Sequence, residues 1–341
     1  MNTAAVDIPR IEQQLREMWR PAAGTEHVTR ASRFTLVVWC ETKEDRDRAA
    51  ATIAGLTSRH PCRAIVLLAE PQLAEAGIAA SLSAQCHLTG GGRKQICCEQ
   101  IFLHATGAGT AHLAPTVLSL LESDLPAVLW WRGDFHRQPE SFRRLADVAD
   151  RILFDSSSRP DAENALPSLA AALPARAAAD LSWTRLTWWR RLTAECFDEP
   201  QCGALLPRIE TATILHGTGP GARLRALLYA GWLASHLGWS VEEATDRVWV
   251  APLPGTDVDG IGIQSVELTA AGASVRLEKD FDEHTARAVV TMPGARGLPR
   301  TMAFTPWTEE TLLSAELDHA GYHAVYKRAL AMAAALSEAT C

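Results

Sequence analysis

Apolar residues recur along this chain with two spatial periods, and the alternation between them lays out the expected elements. Ile8, Ile11, Leu15 and Met18/Trp19 fall three and four residues apart, which predicts an amphipathic helix over residues 8–19. β-Branched runs at residues 34–40 (FTLVVWC) and 63–68 (RAIVLL) flank a stretch, 42–58, in which Ala49, Ile53 and Leu56 form a helical stripe; together they read as a βαβ unit. Residues 96–105, 127–131 and 151–154 read as three further strands, separated by helical stretches at 113–121 and 139–148. Residues 158–180, rich in Ala, Pro and Asp, read as a surface helix and connector.

Beyond residue 180 the pattern changes. Helical spacing covers 184–197 and 222–237, whereas 248–251, 261–269, 274–278 and 288–291 alternate as strands, with Ala270-Ala271-Gly272 as a hairpin turn. The tail, 309–336, reads as two helices broken at Gly321. The expected fold class is therefore α/β: an N-terminal three-layer, Rossmann-like α/β domain over residues 1–180, then a C-terminal α+β domain with a largely antiparallel sheet over 181–341.

Composition narrows the function classes. With 341 residues, 47% hydrophobic and 21% charged, the chain is long and apolar enough for two cores. A net charge of -7 repels a phosphate backbone, so nucleic acid is not an expected partner. No segment approaches the apolar length of a membrane span, and residues 1–20 carry acids and amides where a signal peptide would be apolar, so a cytoplasmic protein without a membrane partner is expected. The eight cysteines include several inside apolar runs and no CxxC pair, which reads as core thiols rather than a disulfide framework or a zinc site.

The stretch 124–158, DLPAVLWWRGDFHRQPESFRRLADVADRILFDSSS, resembles the signature region of the glucose-6-phosphate dehydrogenase assembly proteins, the OpcA family: a strand ending in WWRG, a helix, and a strand ending in DSS. Further family-like pieces follow in order across nearly the whole chain: HPCRAIVL (60–67), EQIFL (99–103), DLSWTRLTWWRRL (180–192), YAGWLASHLGW (229–239) and LLSAELDHAGYHAVYKRAL (312–330). Cys97-Cys98 and the paired Trp188-Trp189 depart from the family pattern without breaking a motif. The resemblance implies a non-catalytic subunit that binds glucose-6-phosphate dehydrogenase in the oxidative pentose phosphate pathway and promotes its active oligomer, with no cofactor. It brings no catalytic residues with it. A sugar-phosphate or nucleotide-binding enzyme or sensor, working through strand-end residues of the first domain, stands as the alternative.

Candidate site residues come from residue chemistry. Arg132 and Gly133 end one strand and Asp155 and Ser156 the next; a right-handed crossover makes these strands parallel and brings both ends to the carboxyl edge, where ligands collect in open α/β sheets. Arg132 offers a planar five-donor fork and Asp155 a matching carboxylate, or each merely braces a loop or caps a turn. Trp183, Arg185, Trp188, Arg190 and Arg191 lie on one helical stretch and form either a partner surface or a buried helix with solvated arginines. Gly217, Gly219 and Gly221 lead into a helix with Arg223 and Arg225 in its first turn, an arrangement able to hold a phosphate and equally a flexible turn. Gly90-Gly91-Gly92-Arg93-Lys94 reads as an anion cradle or a hairpin tip, and Gly107-Ala108-Gly109 lacks the third glycine of a dinucleotide fingerprint. Cys196 and Cys202 flank Pro200 and form a candidate redox pair. GxSxG, Walker, HxH and HExxH signatures are absent.

Overall fold

The β-branched runs become strands of two separate sheets in the computed structural model, which describes residues 7–18, 28–30, 32–88, 95–158, 162, 165–173, 177–254, 262–280, 284–296, 299–319 and 324–339. In chain order the first elements are α1 (Ile8–Met18), β1 (Val28–Arg30), β2 (Thr35–Cys40), α2 (Lys43–Leu56), β3 (Arg63–Glu70), β4 (Gly77–Leu88), β5 (Gln95–Thr106), α3 (Leu113–Leu120), β6 (Ala127–Trp131), α4 (Pro139–Val148) and β7 (Arg151–Phe154). Then come α5 (Leu166–Ala172), β8 (Ala177–Asp180), α6 (Leu181–Arg185), α7 (Thr187–Glu195), α8 (Pro200–Gly203), β9 (Ile209–His216), α9 (Ala222–Leu237), α10 (Val241–Arg247) and β10 (Val248–Pro252). The last are β11 (Ile263–Ala270), β12 (Ala273–Asp280), β13 (Thr285–Met292), β14 (Ala295–Arg296), β15 (Arg300–Ala303), α11 (Glu309–Asp318) and α12 (Ala324–Ala339).

The chain divides into two compact units: Met1–Phe154 with Pro174–Ala179 and Glu309–Tyr322, and Asp155–Leu173 with Asp180–Thr308 and His323–Cys341. It thus passes between units five times, once at Ala179/Asp180.

The first unit is built on a sheet of order β1-β5-β3-β2-β6-β7-β8, with β4 antiparallel on β5. The pairs β1/β5, β5/β3, β3/β2, β2/β6 and β6/β7 are all parallel. Such a sheet is covered on both faces, which is why β2 and β6 are buried along their whole length and read as continuous apolar runs rather than alternating ones. Trp39 and Trp131 stack across the β2/β6 pair with ring centroids 4.6 Å apart. Thr42 caps α2 by accepting the Asp45 amide at 3.1 Å. The C-terminal helix α11 packs on α2 and buries Leu312 and Leu313 there.

The second unit carries a sheet of order β10-β9-β11-β12-β13-β14, with β15 also on β13. Only β9/β10 is parallel among the described pairs; the others are antiparallel. Ala271 and Gly272 turn β11 into β12, as the sequence led us to expect. Helix α9 is buried on nearly every side. A Cβ on its Gly231 would lie 2.2 Å from the Ala329 carbonyl oxygen of α12, so only glycine allows the two helices this approach.

Four expectations change. The 184–197 stretch is two helices, α6 and α7, meeting at Leu186. Residues 158–180 hold α5 and also strand β8, which extends the first sheet. Strand β4 went unread: its apolar positions Ile78, Ala80, Leu82, Ala84, Cys86 and Leu88 alternate along one face, but the alanines on it are weak strand formers and it carries no continuous apolar run. Not every cysteine is a core thiol: Cys86 and Cys97, directly opposed in the β4/β5 ladder, form a disulfide, while Cys40, Cys62, Cys98, Cys196 and Cys202 are buried and in no disulfide. The glycine run 90–94 and Gly321 lie outside the described residues.

Candidate functional site

The polar residues that end β7 begin a buried network in the second unit. Asp155 Oδ1 accepts the Ser157 amide at 3.1 Å, the Ser157 hydroxyl at 2.7 Å and the Ser182 hydroxyl at 2.8 Å. Its Oδ2 takes Arg185 Nη1 at 2.7 Å. Asp180 is the N-cap of α6: its Oδ1 accepts the Ser182 amide at 2.9 Å and the Ser156 amide at 3.0 Å. Its Oδ2 accepts the Ser156 hydroxyl at 2.7 Å and the Tyr326 hydroxyl at 3.1 Å. The local cause is plain, since a short Asp at the start of a turn reaches the amides two residues on.

The two carboxylates respond differently to the same burial. Burial raises Asp155, but Arg185 and the Ser157 and Ser182 hydroxyls outweigh it and hold the group below its ordinary range. Asp180 is pushed up to about 6 by burial and by the neighbouring Asp155 charge, against its hydrogen bonds. Ser157 and Ser182 both donate to Asp155, but Arg185 and these donors hold its pKa below the ordinary range and make it a poor base, so the cluster holds structure and positions Arg185.

Beside this network the second unit encloses a cavity of about 760 Å³. Arg185 and Ser157 reach it from the network, Trp188 and Trp189 from α7, and Arg225 from the first turn of α9. Gly221, in the left-handed region at φ 67°, precedes α9, and a Cβ there would fall 2.4 Å from that of Ser157. Arg225 is 3% exposed; its Nη2 donates to the Pro220 carbonyl at 2.9 Å, and its Nε has no hydrogen-bond partner. Burial, with the charge of Arg185, brings its pKa down to about 10.

The candidates read from the sequence are thereby dispersed. Arg132 belongs to the first unit, where Asp45 Oδ1 takes its Nη2 at 2.5 Å, Glu309 takes Nη1, and the guanidinium lies 4.4 Å from the Trp130 ring centroid. The expected Arg132–Asp155 pair is replaced by Arg132 with Asp45 and Glu309, and Asp155 with Arg185. Gly133 sits against the Glu41 carboxylate, which accepts the Asp134 amide at 3.2 Å. Ser156 is wholly engaged with Asp180. Trp183 is buried beneath Arg190, whose guanidinium stands 3.6 Å over its ring, and Arg191 pairs with Glu195 at 2.8 Å on the helix surface. Of the glycine loop, the Gly217 amide donates to Gly262 at 2.9 Å and the Gly219 carbonyl accepts the Ala222 amide at 3.0 Å. Arg225, rather than Arg223, lines the cavity. Cys196 and Cys202 are separate buried thiols; burial pushes Cys196 up to about 11.

Two family models match the chain, described as the N-terminal domain of a glucose-6-phosphate dehydrogenase subunit over residues 50–171 and the C-terminal domain of that subunit over residues 176–330. The chain belongs to the OpcA glucose-6-phosphate dehydrogenase assembly family. Among OpcA relatives, the OxPP cycle protein OpcA of Nostoc punctiforme is 34% identical over 257 residues, 68% of this chain and 52% of that protein. That of Synechocystis is 34% identical over 54% of this chain and 39% of its own length, and that of Synechococcus elongatus 28% identical over 98% and 81%. The matches thus span about half or less of the first two relatives. The OpcA family is linked to the oxidative pentose phosphate pathway and to assembly of glucose-6-phosphate dehydrogenase. Among solved structures, the glucose-6-phosphate 1-dehydrogenase of Mycobacterium avium aligns at TM-score 0.41 and 12% identity over 89% of this chain and 90% of its own. The aldose-aldose oxidoreductase of Caulobacter crescentus aligns at 0.42 and 10% over 91% and 95%. Among the described residues of this OpcA member, no helix is long and apolar enough to cross a membrane and no group of three His, Cys, Asp or Glu side chains is placed to hold a metal.

Asp180, Ser182 and Tyr326 were not singled out from the sequence as site residues. Asp180-Leu181-Ser182 carried a legible N-cap signal, an Asp directly before a helix. Tyr326 carried none, since it lies 146 residues from the carboxylate it meets.

Proposed function

We propose that this protein is a non-catalytic subunit that binds glucose-6-phosphate dehydrogenase in the cytoplasm and promotes its active oligomer. The observation that carries this reading is the pair of family models, both described as domains of a glucose-6-phosphate dehydrogenase subunit, matching in order over residues 50–171 and 176–330. The chemistry of the polar network supports it: the serines beside Asp155 and Asp180 are held as hydrogen-bond donors, and Arg132 is consumed by two carboxylates. In mixtures with the dehydrogenase from the same organism, the protein is expected to raise the initial rate of NADP reduction or shift the dehydrogenase to a larger species in sedimentation, while reducing no NADP alone. Rates and sedimentation identical with and without the protein would overturn the proposal.

A further inference from the structure

Among the described residues, the charged side chains that line the second unit's cavity are all of one electrical sign. Among the described residues that line it are two arginines, a lysine and a histidine, and no Asp, Glu, Asn or Gln. Its volume of about 760 Å³ falls in the range of small-molecule sites. Three buried N–H donors on lining residues find no acceptor in the protein: Nε of Arg225 and the indole Nε1 atoms of Trp188 and Trp307. Buried donors are ordinarily satisfied, and a guanidinium 3% exposed with no carboxylate bonded to it is costly to keep charged. A group of donors lacking acceptors, beside two arginines, calls for a ligand rich in acceptors and negative in charge.

The walls say what else that ligand carries. The Trp188 and Trp307 rings stack with centroids 5.9 Å apart and planes 28° from parallel, and Phe304 adds a third aromatic face. Sugar hydroxyls, each both donor and acceptor, are met chiefly by accepting Asp and Glu and by donating and accepting Asn and Gln, and none of these is among the described residues lining this cavity. A flat heterocycle needs only a stacking surface and a few donors. At the other pole, no side chain caps the N-terminus of α9, the helix from whose first turn Arg225 reaches the cavity.

We propose that this cavity binds a nucleoside phosphate, its phosphate held by Arg225 and Arg185 at the α9 end and its base against the tryptophan wall. The site lies within one unit and is independent of any contact with the dehydrogenase, so it is tested on the protein alone. Titration of the full chain with AMP, ADP and UMP, followed by calorimetry and tryptophan fluorescence, is expected to give saturable binding with a fluorescence change. Glucose 6-phosphate and inorganic phosphate serve as comparison arms and are expected to bind more weakly than the nucleotides. Arg225→Met is expected to weaken nucleotide binding by about tenfold or more, the loss of a charge-assisted bond. Because a core variant can fail to fold, Trp307→Leu provides a second arm, expected to weaken nucleotides while leaving inorganic phosphate unchanged. Saturable nucleotide binding lost in either folded variant supports the site. No saturable binding of any nucleotide at millimolar concentration, tighter binding of glucose 6-phosphate, or nucleotide affinity unchanged in both variants would overturn it.

Discussion

Asp180 holds four hydrogen bonds and yet has its pKa raised from 3.8 to about 6, because burial and the Asp155 charge outweigh its donors. A folded-state pKa above the unfolded one means that the folded chain binds the proton more tightly. The stabilisation is therefore complete below about pH 4 and is lost as pH rises through about 6, a change of roughly 3 kcal/mol for two pKa units. Asp155, held low, acts in the opposite sense: its contribution is present above its unfolded pKa and lost on acidification. Asp180→Asn separates the two. An Asn oxygen keeps the two amide bonds, and its NH2 donates to the Ser156 and Tyr326 hydroxyls, which rotate to accept. We expect this variant to match or exceed the parent's stability at pH 7 and to lose the fall between about pH 4 and 6, whereas Asp180→Ala, which strands two buried amides, costs roughly 3 kcal/mol. Urea midpoints at pH 4.5 and 7 check this; a parent and Asn variant with the same pH profile would acquit Asp180.

Helix α9 shows how packing overrides propensity. In isolation Gly231→Ala would favour the helix by about 1 kcal/mol. Here the added methyl would meet backbone atoms of α12, the Ala329 carbonyl at 2.2 Å and the Ala333 amide nitrogen at 2.7 Å, and neither can swing aside as a side chain would. Gly231→Ala is expected to destabilise the second unit by about 1–3 kcal/mol, read as a lower urea midpoint, and a neutral result would mean the helices separate freely. The same conflict between local preference and surroundings decided which elements were legible. β2, β3 and β6 stood out because a sheet covered on both faces needs unbroken apolar runs. β4 offered no such run, and Ala177-Ala178-Ala179 of β8 has the composition of a helix and becomes strand only by joining a sheet. For the site, the abrupt polar ends after Trp131 and Phe154 were visible, but not their partners. Arg132 finds Asp45 and Glu309 at separations of 87 and 177 residues, and no periodicity reports such distances.

Neither unit is a continuous stretch of chain. The first is completed by Glu309–Tyr322, which brings Leu312 and Leu313 onto α2, Glu309 to Arg132, and Glu316 to Arg151 at 2.6 Å. Burying two leucines is worth about 3–6 kcal/mol, a large part of the roughly 5–15 kcal/mol that holds a domain folded. A fragment of residues 1–180 expressed alone is thus expected to show no cooperative thermal transition by circular dichroism, and a sharp transition would mean that α11 is dispensable to the first unit. The interleaving also orders events at the ribosome. A nascent chain emerging from its N-terminus exposes β2, β3 and β6 early, but the partners of Arg132 and Arg151 on the acidic helix arrive 177 and 165 residues after those arginines. At synthesis rates of about 5–20 residues per second, the first sheet waits on the order of ten seconds with its apolar flank and two arginines uncovered, a window in which a holding chaperone has something to hold.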